Sequence, residues 1–303
     1  MSSRTTDRGD YLKGVAIMVA ATVMLSLSGV FVRMVSTADP WQINSYRAGS
    51  MSVALLVFLL AVHRRQTWSR FAAIERRAML TVSLFFAAGS TLYVLAMSRT
   101  SIANVACLTA TAPVFAAILA WLLIGERSGR AAWIATGIAL AGIYVIFRDE
   151  LGVGDSIGNA AGLATAVCFA GQTVLVRKYR AFDLVPAVCV GGILVAVAVP
   201  LFREVAPLGG RDLLLVVAMG VIQLAVPLIL YVRAARYIPA MHMVLIGLLD
   251  VLFNPLWAWI GAGEAPSANA IAGGGIIVAA VILVVAGRQW APPALVPSSA
   301  AEP

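Results

Sequence analysis

The chain has 303 residues, of which 61% are hydrophobic and 12% charged, with a net charge of +8. A soluble domain carries about 25% charged residues, so with a mean hydropathy of +0.93 the composition excludes a single water-soluble core and asks for a bilayer as solvent. The basic residues fall in short clusters between apolar runs, which is membrane topology rather than a nucleic-acid footprint.

A helix needs roughly 20 apolar residues to cross a bilayer. Ten runs meet that length, near 13–34, 45–62, 78–98, 102–124, 131–147, 157–176, 184–201, 213–232, 240–260 and 269–287. They are continuous rather than alternating, which excludes an outer-membrane barrel and leaves helices as the spanning structure. Arg4, Arg8 and Lys13 before the first run imitate a signal peptide. The apolar stretch is too long for one, however, and no small-residue cleavage site precedes TADPW. The run reads as an uncleaved first helix behind a short tail, residues 1–12.

The second run carries Tyr46 and Arg47, and the third carries Tyr93. The fourth holds Asn104 and Pro113 and ends in Gly125-Glu126; the loop RDELGVGD follows the fifth. Gln172 lies in the sixth, and Gln223 and Tyr231 lie in the eighth. The ninth holds His242, Asp250, Asn254 and Pro255 and runs to Gly263-Glu264. GGG at 273–275 in the tenth reads as close helix packing, since neither a strand nor a Lys-Ser/Thr pair flanks it. The tail 289–303 is rich in Pro, Ala and Ser. Cys107, Cys168 and Cys189 lie inside apolar runs without metal-ligand spacing and read as small buried hydrophobes. Trp41, Trp68, Trp133, Trp257, Trp259 and Trp290 read mostly as an interfacial belt.

Orientation follows from the basic residues. With the N-terminus inside, 16 of the 22 Lys and Arg fall in inside segments, and only Arg33, Arg47, Arg99, Arg148, Arg203 and Arg211 fall outside. Ten helices with both termini in the cytoplasm satisfy that bias.

The chain also repeats. A shift of 138 residues lays Tyr93, Phe115, Trp121, Gly125, Glu126 and Gly137 on Tyr231, Phe253, Trp259, Gly263, Glu264 and Gly275. A shift of 144 lays Gly14, Arg33 and Asp39 on Gly158, Arg177 and Asp183. The units are 13–148 and 149–288, with 289–303 as a cytoplasmic tail. Five helices per unit is odd, so the second unit is inverted, an arrangement typical of secondary transporters with a site at the repeat interface. Trp121 and Trp259, being equivalent, read as packing residues. Gly-Glu closes the fourth helix of each unit. Glycine suits a helix C-cap, and the glutamate is expected to cap the fifth helix of its own unit, whose N-terminus favours negative charge.

The segment TLYVLAMSRTSIANVACLTATAPVFAAILAWLLIGERSG, followed by GIALAGIYVIF, resembles the EamA domain of the drug/metabolite transporter superfamily. Thr100, Ser101, Ala103, Pro113, Gly125, Glu126 and Arg127 carry the likeness in the first copy, and Gly263 and Glu264 in the second. The second copy departs from it in Pro239, in Val251 where Pro113 aligns, in Pro255 and in Ala265. Tyr46-Arg47 resembles the aromatic-Arg feature of the family's second helix. The resemblance implies an all-α polytopic membrane protein, ten transmembrane helices as two inverted five-helix EamA repeats. It also implies a bacterial inner-membrane carrier, often an exporter of amino acids or related metabolites, although the family includes importers.

An ionisable residue near mid-membrane is a functional hypothesis by default, and Asp250 is the outstanding case. Asn254 lies one turn on along the same face. Packing against a neighbouring helix is the alternative for both. Arg47, about one turn into its run, suits a substrate carboxylate as a bidentate partner, or snorkels to the interface. Tyr93, Tyr231 and Gln172 are further binding or coupling candidates, with hydrogen bonds between helices as the alternative, and His242, able to titrate near neutrality, is another, with a solvated histidine near the cytoplasmic boundary as its alternative. Glu126, Glu264, Pro113 and Pro255 are structural or gating candidates.

These readings converge on a secondary transporter, an exporter of a small polar metabolite by alternating access, with protons as candidate coupling ions. Amino acids and amino-acid-derived compounds, opine-like metallophores among them, are the expected cargo. An importer of a vitamin- or nucleoside-like metabolite and a lipid-carrier flippase are the alternatives. The expected partners are a small-molecule substrate and the lipid bilayer, with no nucleic acid, in a monomer or homodimer. Nucleotide fingerprints, metal-ligand spacings and nucleophile motifs are missing from the sequence, so neither an enzyme nor a cofactor is expected.

Overall fold

The structure, a computed structural model, describes residues 2–36, 39–152, 155–262 and 267–287. The described residues form helices and no strands. In chain order these are α1 (Ser2–Leu25), α2 (Ser28–Met34), α3 (Pro40–His63), α4 (Thr67–Ala73), α5 (Arg76–Arg99), α6 (Ile102–Thr109), α7 (Ala112–Ile124), α8 (Arg130–Phe147), α9 (Ser156–Lys178) and α10 (Val185–Phe202). Then come α11 (Gly210–Ala218), a π-helical segment Met219–Ala225, α12 (Val226–Ala234), α13 (Ala240–Gly247), α14 (Leu249–Ala262) and α15 (Ala268–Gly287). Together they make ten spans long and apolar enough to cross a membrane, each matching one run of the sequence.

Two boundaries move. Helix α1 is already helical at Ser2, because a helix leaving the bilayer need not end where its apolar residues end. Helix α3 begins at Pro40, with the proline in its first turn, where a missing N–H costs nothing. Arg47 is therefore seven residues into α3, roughly 10 Å along its axis, twice as deep as the apolar run alone suggests.

The packing obeys the repeat. The fifth and tenth spans pack as a pair, as do the second and seventh. The third packs on the sixth as the eighth packs on the first, and the fourth packs on the sixth as the ninth packs on the first. Glycine brings α8 and α15 together: a Cβ at Gly142 would meet the Gly273 carbonyl, and a Cβ at Gly273 would meet the Gly142 carbonyl. The outer surface is apolar, with Val53, Val57, Leu80, Leu84, Ile134, Val197, Ile271 and Ile282 all more than half exposed. That is the surface lipid requires and water forbids.

Three spans are broken. The fourth breaks at Ala110–Thr111 and the ninth at Leu248, and Ala110 and Leu248 are 138 residues apart. Pro113 starts α7 just past its break, but Pro255 sits inside α14, seven residues beyond Leu248. The break is a property of the repeat, and the proline marks it in one copy only. The first span breaks at Ser26–Leu27, with no counterpart in the continuous α9. Interrupted helices at mid-membrane are how carriers expose backbone and polar groups to a central site.

Candidate functional site

The site is assembled around the broken first and ninth spans. Asp250 stands ten residues into the ninth span, roughly 15 Å along its axis and half of a ~30 Å hydrocarbon core. Asn254, one turn on, donates through Nδ2 to both Asp250 Oδ1 and the Asp250 carbonyl, each at 3.0 Å. Gly29 of α2 lets this pair approach, because a Cβ there would stand 2.7 Å from Asn254 Oδ1.

Arg47 enters from the second span, seven residues past its start at Pro40. Its Nη2 donates to Asn44 Oδ1 at 3.2 Å, and Ser90 of α5 donates to that oxygen at 2.8 Å. Tyr93, one turn past Ser90, lies within electrostatic reach of both Arg47 and Asp250. Among the described residues Arg47 and Asp250 form no ion pair with each other. Arg47 Nε and Asn44 Nδ2 are buried without a hydrogen-bond partner, as is Gln223 Oε1. Each such group costs about 1–3 kcal/mol if nothing meets it. A cationic group, a carboxylate and a phenol therefore share one mid-membrane region from three different spans.

Elsewhere polar residues hold helices. Gln223, in the π-helical segment, donates to the Leu25 carbonyl at the break in the first span at 2.8 Å. Trp257 Nε1 donates to Ser26 Oγ at 2.8 Å, so Trp257 belongs to the interior rather than to the belt. Tyr231 is hydrogen-bonded to Thr173 of α9, beside the buried Gln172. His242 is buried and bonds Tyr11 at 2.9 Å; it is not the solvated boundary residue that its place in the run suggests. Asn104 bridges Thr100 and the Gly152 carbonyl.

Both halves of the chain match the model of the EamA-like transporter family, over residues 12–148 and 154–286. The chain belongs to that family. EamA-like proteins are part of the drug/metabolite transporter superfamily. Among curated proteins the chain is 27% identical over 279 residues to the pseudopaline exporter CntI of Pseudomonas aeruginosa, in strains UCBPP-PA14 and PAO1, covering 90% of this chain and 96% of that one. A solved crystal structure superposes with a TM-score of 0.80 at 16% identity, covering 91% of this chain and 99% of that chain. At that identity the match speaks for the fold alone.

In this EamA-like protein the first Gly-Glu does something other than cap its own unit. Gly125 ends α7 with φ 67, the left-handed conformation that glycine takes without strain. Glu126 turns away from α8. Its Oε1 accepts from the Ala240 backbone N–H at 3.0 Å, and its Oε2 accepts from Arg177 Nε at 3.2 Å. Arg177 Nη1 in turn donates to the Ala235 carbonyl at 2.7 Å. The reason lies in the second copy. Ser101 caps α6 by accepting from the Asn104 N–H at 3.1 Å, but its repeat partner is Pro239, which has no side-chain acceptor. Glu126 supplies that acceptor to α13 from the other unit. Glu264 lies outside the described residues.

Other expectations are redirected. Trp121 and Trp259 are more than half exposed; they face lipid and do not pack as core residues. Arg33 is exposed near the end of α2. A recess of about 730 Å³ lies between α3, α10 and the π-helical segment. It is lined mostly by apolar side chains, Val53, Val57, Ala196, Pro200, Val217 and Val221 among them, with Tyr46, Ser45 and Ser50 as its polar members. Sequence reasoning missed Asn44, Ser90, Gly29 and Ser26. The one usable signal was spacing, since Asn44 stands three residues before Arg47 on a helical face.

Proposed function

We propose that the chain is a secondary exporter of a small polar metabolite carrying both amino and carboxylate groups, working by alternating access in a bacterial inner membrane with both termini cytoplasmic. The observation that carries this reading is that Asp250 and Arg47, on different spans, both lie within electrostatic reach of Tyr93 without an ion pair between them among the described residues. Two opposite charges held apart in a low-dielectric setting suit a zwitterion that bridges them. The likeness to a pseudopaline exporter supports outward transport of an amino-acid-derived compound, and the inverted repeat supports alternating access. Asp250, an ionisable group ten residues into the ninth span, is the group that would exchange a proton during transport.

Metabolite profiling of the medium tests the reading. Cells producing the chain should enrich the medium in small nitrogen-containing carboxylates, and cells producing Asp250→Asn at equal membrane level should not. A medium unchanged by the wild-type protein would count against export.

A further inference from the structure

Resting on that reading, we propose that Asn44 and Arg47 form a carboxylate-recognition subsite that Ser90 holds in its working orientation. Asn44 is 1% exposed. Its amide orientation is not free, because the guanidinium of Arg47 has donors only and must face an oxygen. Asn44 Oδ1 therefore turns to Arg47 Nη2, and Ser90 from the neighbouring span donates to the same atom. This leaves Asn44 Nδ2 and Arg47 Nε as the two buried side-chain donors without an acceptor among the described residues.

Two adjacent buried donors, one of them charged, ask for an anionic acceptor with two oxygens. Charge-assisted bonds of this kind are the strong ones, and a planar carboxylate fits the guanidinium edge. Tyr93 lies within electrostatic reach of both Arg47 and Asp250, which places the subsite and the α14 carboxylate on either side of it. The close packing of the backbone behind Arg47 keeps the subsite rigid: a Cβ at Gly220 would overlap the Arg47 carbonyl and the Ser50 hydroxyl. The cargo therefore presents a carboxylate to α3 and α5, and its cationic end to α14.

The test is binding to the purified full chain in lipid nanodiscs, read by intrinsic tryptophan fluorescence and by ligand-induced thermal shift. The probes are N-(carboxymethyl)-L-alanine, L-histidine and acetate, each with its carboxamide counterpart, at millimolar concentration. The wild-type protein should prefer at least one acid to its amide by about tenfold or more. Asn44→Asp, which keeps size but replaces the donor with a carboxylate, should abolish that preference. Ser90→Ala should reduce it while leaving thermal stability close to wild type, and Asp250→Asn should retain it. Equal binding of acid and amide, no response to any of the acids, or an undiminished preference in a folded Asn44→Asp protein would overturn the subsite. The measurement needs no vectorial transport, so it fails or succeeds separately from the export reading.

Discussion

At the residue scale, polar groups in the membrane divide by whether their partners are complete. Asn104, Tyr231, Trp257 and His242 have partners in neighbouring spans. Arg47 Nε and Asn44 Nδ2 do not. Changing the first group should affect folding, and changing the second should affect cargo handling. Trp257→Phe removes the bond to Ser26 and should lower the stability of the purified protein by about 1 kcal/mol, measured as a lowered melting temperature. Unaltered melting would mean that the break in the first span is held by other contacts. The sequence made Asp250, Asn254 and Arg47 conspicuous because charge and amide groups stand out inside apolar runs. Asn44 and Ser90 were not legible: near a run's edge, a small polar residue looks the same whether it faces headgroups or a cavity. Only the depth set by Pro40 and the approach of α5 separate the two.

At the element scale, the broken helices and their caps connect the two units. The repeat was legible through Gly-Glu and the aligned aromatics, and the breaks at Ala110 and Leu248 obey it. The destination of Glu126 was not legible, because it depends on which helix end the fold brings beside it. The logic of that contact is local, however: Pro239 leaves α13 without a side-chain cap, and a carboxylate beside a helix N-terminus is stabilising. Glu126→Gln weakens both the cap and the bond to Arg177, and should cost about 1–2 kcal/mol of stability. Pro239→Ser should restore part of that loss by giving α13 its own cap. Thermal denaturation of the single and double variants checks this. A Glu126→Gln protein with normal stability but no transport would make the contact a gate rather than a cap. Gly220→Ala probes the contact between the π-helical segment and α3. It should lower stability by about 1–3 kcal/mol through overpacking, with the greater effect on cargo affinity because Arg47 sits at the contact.

At the scale of the whole molecule, ten spans in two five-helix units place the second unit upside down. The ten spans were legible throughout, because a bilayer demands continuous apolar runs and tolerates few charges within them. Which spans touch was not legible, since lipid-facing and helix-facing surfaces are both apolar here. Close approach is marked instead by small residues such as Gly142 and Gly273. The distribution of Lys and Arg predicts that reporter fusions after residues 68, 128 and 303 read as cytoplasmic, and fusions near 40, 150 and 208 as periplasmic. A periplasmic reading after 303 would contradict the inverted five-plus-five arrangement.

We propose that Asp250, a carboxylate inside the ninth span, couples cargo movement to protons. Proteoliposome transport with and without an imposed pH difference tests it most directly, with cargo drawn from the compounds that wild-type cells enrich in their medium. Wild-type protein should accumulate cargo only when the pH difference is present. Asp250→Asn, inserted to the same level, should exchange cargo without accumulating it. Wild-type accumulation indifferent to the pH difference, or full gradient-driven accumulation by Asp250→Asn, would contradict the account and return Asp250 to a packing role.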